Sequence, residues 1–251
     1  MKFSSALRSR KLLKGTLLTT ASAEIAEAVS YSGLDWIFID LEHSCLSTSE
    51  VQNIVRSVGG RIGSVIRVTD KSPTAITKAL DTGCDGIIVP QVNTRAEALA
   101  VVEAAKYSPQ GNRSVGLSRA QKYGLDFKGY INTANKTTSV IVQIENIVAV
   151  KNIDKILSVP GIDAIFIGPY DLSASMGKPG LLDRPDVIAA IETVISKAKK
   201  AGIPIGIYAA TPEAAGIAID KGITLLAVST DILLLAEAIK KVAGIKRKTK
   251  K

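Results

Sequence analysis

The sequence is poor in three residue types that mark particular functions. It contains one histidine and two cysteines in 251 residues, and aromatic residues make up 4% of the chain. Two isolated cysteines do not make a disulfide framework or a thiolate zinc cage, and they suit a reducing compartment, so we expect a cytoplasmic protein. So few aromatics leave no stacking platform for nucleic acid. No apolar run approaches the roughly 18 residues of a membrane helix, and the start lacks the apolar stretch of a secretory signal.

The net charge of +9 is concentrated at the two ends of the chain. Five bases precede residue 15 and five follow residue 245, with no acid in either stretch; without these ten, 22 bases stand against 23 acids. A nucleic-acid groove would need basic residues clustered on the folded face. We therefore expect no nucleic-acid partner. We interpret 1–14 and 246–251 as basic, solvated terminal segments and 15–245 as a single folded domain.

Short runs rich in Val and Ile alternate with amphipathic stretches of helical spacing. These runs lack polar alternation, which is typical of parallel strands buried on both faces. An open dinucleotide-binding sheet would carry a G-x-G-x-x-G turn after its first strand, and none is present there. Eight alternations favour a (β/α)₈ TIM barrel instead. The predicted strands are Thr16 to Thr19, Trp36 to Asp40, Ser64 to Val68, Gly86 to Pro90, Val140 to Glu145, Ala164 to Gly168, Ile205 to Tyr208 and Leu225 to Ser229.

Polar residues follow several of these strands at the point where each ends. In a barrel the carboxyl ends of all strands meet at one rim, where barrel enzymes place their active sites. The longest connection, Lys106 to Thr138, is rich in Gly, Ser and Arg, which predicts a functional loop over that site. The rim candidates are Asp40, Glu42, His43, Arg67, Gln143, Glu145 and Asp171.

Glu145 and Asp171 each come directly after an apolar strand, so we expect both carboxylates in the barrel mouth. Two carboxylates there would repel each other, and a hard cation such as Mg²⁺ or Mn²⁺ would remove the repulsion. The alternative is that each carboxylate pairs with a base or caps the following helix.

His43 and Arg67 each have two possible interpretations as well. A lone histidine is often a structural or surface residue, but a carboxylate nearby can orient an imidazole and raise its basicity. Arg67 either forms an ion pair with Asp40 or Glu42, or donates to an enolate or carboxylate oxygen of a substrate.

Three segments of the chain, 35–43, 140–145 and 167–173, read DWIFIDLEH, VIVQIE and IGPYDLS. In order and spacing they resemble the HpcH/HpaI aldolase family of class II pyruvate aldolases, and the similarity runs from about Gly15 to Val242. The resemblance implies a metal-dependent lyase that cleaves or forms 4-hydroxy-2-oxo acids through a pyruvate enolate. It also implies a homo-oligomer, usually a hexamer, that packs or exchanges C-terminal helices.

Residue by residue, the resemblance implies that Glu145 and Asp171 hold the divalent cation, with Co²⁺ or Zn²⁺ as further candidates. Arg67 would stabilise the enolate oxygen, and His43 would be the base acting on the 4-hydroxyl group. Asp81 would raise the basicity of His43, and Asp40 would belong to the same network. The substrate-binding residues would be Gln143, Gly168, Pro169, Tyr170 and Asp171.

Two features bear on the choice of substrate. Tyr170 stands where the type enzyme has a small residue. The segment Gly111 to Arg119 resembles the family's active-site loop, whose arginines are expected near the far end of the acceptor aldehyde. No lysine ends a predicted strand, so a Schiff-base mechanism is not expected. A CoA-ester lyase of the citrate lyase β-subunit type and a catalytically silent barrel that binds a 2-oxo acid remain alternative hypotheses.

Overall fold

The computed structural model describes residues 2–245, which form a closed barrel of eight parallel strands. Each strand pairs with its neighbours in the sequence, and β8 closes the barrel on β1. The predicted (β/α)₈ fold is therefore confirmed, although some strand boundaries shift by up to three residues. The strands are β1 (Leu13–Leu18), β2 (Trp36–Asp40), β3 (Gly63–Arg67), β4 (Gly86–Val89), β5 (Ser139–Ile144), β6 (Ala164–Ile167), β7 (Ile205–Ala209) and β8 (Leu225–Thr230).

Helices follow every strand and return the chain to the other end of the barrel. Several begin as the sequence predicts: Ser47 and Glu50 form a capping box, and so do Thr94 and Glu97. The helices are α1 (Phe3–Arg8), α2 (Ala23–Ser30), α3 (Thr48–Val58), α4 (Pro73–Asp81), α5 (Arg95–Ala105), α6 (Phe127–Thr137), α7 (Ile147–Lys151), α8 (Ile153–Leu157), α9 (Pro169–Ser175), α10 (Pro185–Ala201), α11 (Pro212–Asp220) and α12 (Asp231–Ala243). None of these has the length and apolar character of a membrane-crossing helix within the described residues.

The hydrophobic core has two layers, one on each face of the cylinder of strands. The larger layer lies between the strands and the surrounding helices. The smaller layer fills the barrel itself and includes Trp36, Phe38 and Phe166, whose rings contact one another in sequence. Because both faces of each strand are covered by apolar side chains, the strands read as continuous apolar runs. Polar side chains inside the barrel are thereby displaced toward its ends.

The N-terminal segment is solvated only in part: its bases are exposed, but Phe3, Ala6 and Leu7 are buried, which differs from the expected wholly solvated segment. Helix α1 closes the amino-terminal end of the barrel, where Phe3 packs 6.0 Å from the ring of Trp36. A Cβ atom on Gly63 would lie 2.5 Å from the Phe3 ring, so the glycine makes room for it. Arg8 forms an ion pair with Asp163, with 2.7 Å between Nε and Oδ1. The basic tail at 246–251 lies outside the described residues.

The long connection between α5 and β5 also differs from its prediction. It contains a short 3₁₀ helix (Arg119–Gly124) and α6. Its Arg113 donates to Asp81 at 2.8 Å, and Arg119 donates to the carbonyl of Thr82 at 2.6 Å. Both partners lie at the end of α4, which runs antiparallel to the strands. Within one chain these arginines therefore bind at the end of the barrel opposite the rim, and do not lie over a site there.

Candidate active site

A cavity of about 330 Å³ opens at the carboxyl end of the barrel. Its walls come from strands and βα loops on both sides of the mouth, including Leu17 of β1 and Tyr208 of β7. Most of the sequence-predicted residues lie on this cavity, which agrees with the expected rim. The predicted residues that line it are Asp40, His43, Arg67, Gln143, Gly168, Pro169, Tyr170 and Asp171.

Asp40 and Arg67 form a buried pair at the base of the mouth. They end the adjacent strands β2 and β3 and face each other in register. Nε of Arg67 lies 2.8 Å from Oδ1 of Asp40, and Nη2 lies 2.7 Å from Oδ2. Oδ1 of Asp40 also accepts a hydrogen bond from the backbone N–H of Glu42 at 3.0 Å. Asp40 therefore fixes the orientation of the guanidinium and the turn that carries Glu42 and His43.

Glu42 connects this pair to the histidine. Its Oε2 lies 3.2 Å from Nη1 of Arg67 and 3.7 Å from Nε2 of His43. The same oxygen is buried and accepts no hydrogen bond from a described residue. The imidazole side chain of His43 is 61% exposed, so it stands at the opening of the cavity rather than in its floor. The single histidine is thus accessible to a substrate from solvent.

Glu145 lies deeper, directly after β5, and is 2% exposed. Its Oε1 accepts a hydrogen bond from the backbone N–H of Gln91 at 2.6 Å, and its Oε2 accepts one from the side chain of Gln143. A Cβ atom on Gly168 would lie 2.9 Å from Oε2 of Glu145, so only glycine leaves space beside this carboxylate. Oε1 of Gln143 is buried without a hydrogen-bond partner among the described residues.

Four carboxylates lie close enough at this mouth to affect one another. Burial raises the pKa of Glu145 to about 7, and the charges of Glu42 and Asp171 act in the same direction. Burial also raises the pKa of Glu42 to about 7, with Arg67 opposing the shift and Asp40 and Asp171 adding to it. Buried carboxylates near other negative charges resist ionisation unless a cation compensates them.

The residues present fit a divalent cation. Residues 2–245 contain no ready-made cage of three or more His, Cys, Asp or Glu ligands. Mg²⁺ is commonly held by one or two carboxylates, with substrate and water completing its shell. Glu145 and Asp171 supply two carboxylates, Oε1 of Gln143 is buried without a hydrogen-bond partner among the described residues, and Gly168 keeps the space beside Glu145 clear. This donor set of oxygens suits a hard cation better than a soft one.

Asp81 is the predicted site residue that the single chain does not bring to the mouth. It ends α4, and its carboxylate pairs with Arg113, whose guanidinium is buried beside the rings of Tyr107 and Tyr130. A helix that follows a barrel strand ends near the start of the next strand. The residue therefore lies toward the opposite end of the barrel from His43, and its role toward His43 stays a prediction.

Sequence reasoning assigned no role to Gln91 or Tyr208, which also shape the site. Gln91 adopts a positive φ of 54°, which points its N–H at Glu145. Tyr208 lies near the end of β7, and its ring centroid is 6.3 Å from that of Tyr170. The rule that strand ends form the rim applies to both positions and could have identified them.

Comparisons with known proteins agree with this geometry. The family model described as "HpcH/HpaI aldolase/citrate lyase" matches residues 15–238. The "2-dehydro-3,6-dideoxy-6-sulfogluconate aldolase" of Pseudomonas putida is 38% identical, covering 88% of this chain and 87% of that protein. The "hydroxypyruvate/pyruvate aldolase" of Sagittula stellata is 37% identical, with 94% of both chains covered. The crystal structure of a family protein from Burkholderia cenocepacia superposes with a TM-score of 0.92 at 32% identity, covering 96% of both chains.

Proposed function

The chain belongs to the HpcH/HpaI aldolase/citrate lyase family, and from this premise we propose that it is a divalent-metal-dependent aldolase. The proposed reaction cleaves or forms a 4-hydroxy-2-oxo acid through the enolate of pyruvate. The observation that carries the proposal is that Arg67, Gln143 and Asp171 line one mouth and that Gln143 donates a hydrogen bond to the buried Glu145 behind it. The names of the relatives, which are aldolases, support this reaction over that of a CoA-ester lyase.

Glu145 and Asp171 would hold the cation, which we propose to be Mg²⁺ or Mn²⁺. When bound, the cation would supply an electrophile that stabilises negative charge on the oxygens of the 2-oxo acid. The raised pKa of Glu145 supports this assignment, because its cost of ionisation falls when a cation is nearby.

The remaining residues would bind the 2-oxo acid and its enolate. The side-chain amide of Gln143 and the backbone N–H groups at Tyr170 and Asp171, in the first turn of α9, would donate to the substrate's oxygens. Arg67 would stabilise the enolate oxygen as charge develops on it. Its two bonds to Asp40 hold the guanidinium in place before the reaction, so little reorganisation is needed.

His43 would move the proton. In cleavage it would take the proton of the 4-hydroxyl group while the bond between C3 and C4 breaks. The bonding electrons then pass into the enolate, the aldehyde leaves, and protonation at C3 gives pyruvate. In synthesis the same steps run in reverse. Glu42, 3.7 Å from Nε2, is the nearby carboxylate that would stabilise the protonated imidazole within one chain.

We also propose a homo-oligomer, with a hexamer as the expected size. Helix α12 bears several large apolar side chains that are exposed in the single chain, among them Leu234, Leu235 and Ile239. Burial of such a surface is a strong driving force for association. A second copy of the chain is the proposed occupant, and light scattering of the purified protein tests this assembly.

The activity is tested by incubating purified protein with Mg²⁺ or Mn²⁺ and a set of 4-hydroxy-2-oxo acids, with pyruvate release as the readout. We expect release that EDTA abolishes and that added metal restores. A second experiment incubates the metal-loaded protein in D₂O with pyruvate or with acetyl-CoA and measures the exchange of each compound's methyl protons for deuterium. Exchange of the methyl protons of acetyl-CoA, without exchange of those of pyruvate, would indicate the CoA-ester lyase. No pyruvate release and no effect of EDTA would indicate a silent binding barrel.

A further inference from the structure

The backbone of Gln91 is anchored on both sides of its Cα atom. Its N–H donates to Oε1 of Glu145 at 2.6 Å, and its carbonyl accepts from Nζ of Lys71 at 3.0 Å. Its φ of 54° lies in the left-handed region, which is unfavourable for a residue with a Cβ atom. The side chain of Gln91 is exposed, so its own packing contributes little to holding this conformation. The two backbone contacts oppose its relaxation.

Lys71 reaches Gln91 from a neighbouring loop. It lies in the connection between β3 and α4, while Gln91 lies in the connection between β4 and α5. Its ammonium group contacts the carbonyl of Gln91 and also pairs with Glu97 of α5. Lys71 is not among the described residues that line the mouth, and its side chain is 38% exposed. It therefore supports the wall of the site from outside and does not reach a substrate.

Other side chains hold the part of this connection that follows Gln91. Glu97 accepts a hydrogen bond from the backbone N–H of Asn93 at 2.7 Å, and Asn152 donates to the carbonyl of Asn93 at 3.0 Å. Neither of them contacts Gln91. Lys71 is the described side chain that binds the carbonyl of Gln91 itself, so its loss frees the peptide next to the strained residue.

The orientation of the Glu145 carboxylate depends on this support. Its Oε1 is held by the N–H of Gln91, and its Oε2 is held by the side chain of Gln143. Two donors at fixed positions set the plane of the carboxylate, so its remaining lone pairs have a fixed direction. Hydrogen bonds that orient a metal ligand in this way typically contribute roughly 10- to 100-fold to metal affinity.

We propose that Lys71 is a positioning residue for the divalent cation. It locks Gln91 in its left-handed conformation, which aims the N–H at Glu145 and raises the affinity of the protein for the cation. The inference rests on the proposed function, because Glu145 is a metal ligand there. Without Lys71 the peptide that follows Gln91 can rotate, φ can relax to negative values, and the direction of the N–H is no longer fixed.

The first test measures the Kd of the purified full-length protein for Mn²⁺, from the electron paramagnetic resonance signal of free Mn²⁺. We expect Lys71→Met to raise this Kd by about tenfold, at the lower end of the range for orienting contacts because Lys71 acts through Gln91. Lys71→Arg can still donate to the carbonyl, so it should bring the Kd back to within about threefold of the parent. An unchanged Kd in Lys71→Met would overturn the proposal.

Lys197→Met is the matched control for the lost charge. Lys197 pairs with Asp154 at 2.8 Å and its side chain is 41% exposed, so this variant removes the same charge from a similar surface ion pair. Its Kd for Mn²⁺ should equal that of the parent. A rise as large as that of Lys71→Met would show that the loss of one positive charge is sufficient, and the proposed positioning role would then be wrong.

The second test removes the strain at Gln91. Glycine adopts a positive φ without steric cost, so Gln91→Gly keeps both backbone contacts and leaves Lys71 little to lock. In this background we expect Lys71→Met to raise the Kd for Mn²⁺ by much less than tenfold. The same rise in both backgrounds would show that Lys71 does not act through the conformation of residue 91.

Hydrogen–deuterium exchange of the metal-free protein gives a readout that needs no cation. Peptides that cover residues 91–97 should exchange faster in Lys71→Met and at the parent rate in Lys197→Met, and equal rates in all three proteins would contradict the proposal. Failure of the proposed function gives a different result. If the parent binds no Mn²⁺ that Asp171→Asn removes, the metal site and this inference both fall, whereas Mn²⁺ binding with an unchanged Kd in Lys71→Met overturns this inference alone.

Discussion

Arg67 and Asp40 meet through two nearly parallel hydrogen bonds, Nε to Oδ1 at 2.8 Å and Nη2 to Oδ2 at 2.7 Å. The pair joins the ends of two adjacent strands and leaves Nη1 beside Glu42. A planar guanidinium held along one edge presents its remaining edge in a fixed direction, which a lysine ammonium cannot do. The pair thus decides how positive charge is presented to the cavity.

Replacing this guanidinium tests that arrangement. Arg67→Lys keeps the positive charge but loses the bidentate geometry, so we expect kcat for pyruvate release to fall by about 10²- to 10³-fold, as for a lost oxyanion donor. Arg61→Lys is the control, because Arg61 lies at the opposite end of the barrel, where it donates to Ser30. If Arg67→Lys retained full kcat, Arg67 would have no part in stabilising the enolate.

The buried carboxylate of Glu145 makes the metal-free protein sensitive to pH. Its pKa is raised to about 7 from an ordinary value near 4.5, so the folded state disfavours the ionised form. This penalty is absent below the unfolded pKa, grows as pH rises from 4.5 to 7, and is complete above 7, where it reaches at most about 3 kcal/mol. We therefore expect Glu145→Gln to stabilise the protein in EDTA at pH 8 but not at pH 4.5.

Urea unfolding at the two pH values measures this difference. The amide of Glu145→Gln can still accept from the N–H of Gln91, and once the Gln143 amide turns over, it can donate to Oε1 of Gln143. Asp220→Asn, at the exposed end of α11, is the matched control for replacing a carboxylate by an amide at the surface. Equal stability changes for Glu145→Gln at both pH values would contradict the raised pKa.

Metal binding should stabilise the protein more as the pH rises. The cation binds the ionised carboxylates, so protons compete with it below about pH 7. We expect Mg²⁺ to raise the free energy of unfolding by about 3 kcal/mol at a hundred times its Kd near pH 8, and by less at pH 5.5. Thermal melts with and without Mg²⁺ measure the gain. Asp171→Asn should lose it, and a full gain in that variant would remove Asp171 from the ligand set.

The contact between Phe3 and Gly63 can be tested by a double-mutant cycle. Gly63→Ala would place a methyl group 2.5 Å from the Phe3 ring, so we expect a loss of about 1–3 kcal/mol in the free energy of unfolding. In a Phe3→Ala background the added methyl group has space, and the loss should be smaller. Additive effects would show that α1 does not fill the barrel end.

Gly216→Ala serves as the control for this cycle. It introduces the same methyl group in helix α11, where nothing lies within 4 Å of the added Cβ. A glycine in a helix interior is less stable than alanine by roughly 0.5–1 kcal/mol, so this variant should be slightly more stable than the parent. Chemical unfolding of all four variants gives the comparison.

Much of the fold follows from local patterns. Runs such as Val140 to Val142 are apolar at every position, and short runs of this kind are typical of strands that are covered on both faces. The capping boxes at Ser47 and Thr94 also act within four residues, so they appear in the sequence as they do in the structure. Helix α1 was missed because its basic residues suggested a solvated segment, whereas its Phe3, Ala6 and Leu7 form the buried face.

The site was predictable as far as its residues follow strand ends. Glu145 and Asp171 each come at such an end, and Arg67 is the last residue of β3. The partners of these side chains were not predictable, because an ion pair such as that of Arg67 with Asp40 depends on strand register. Asp81 shows the same limit, since its pairing with Arg113 depends on how the long connection folds back on α4.

The sequence by itself determined the eight strands, their burial and the end of the barrel at which polar residues gather, because these depend on the period and position of apolar side chains along the chain. Only the tertiary structure decided which carboxylates become neighbours, that Phe3 fills the opposite end, and that Tyr170 meets Tyr208. Such contacts join residues separated by many positions, and they exist only once β8 closes on β1 and sets the distances across the barrel.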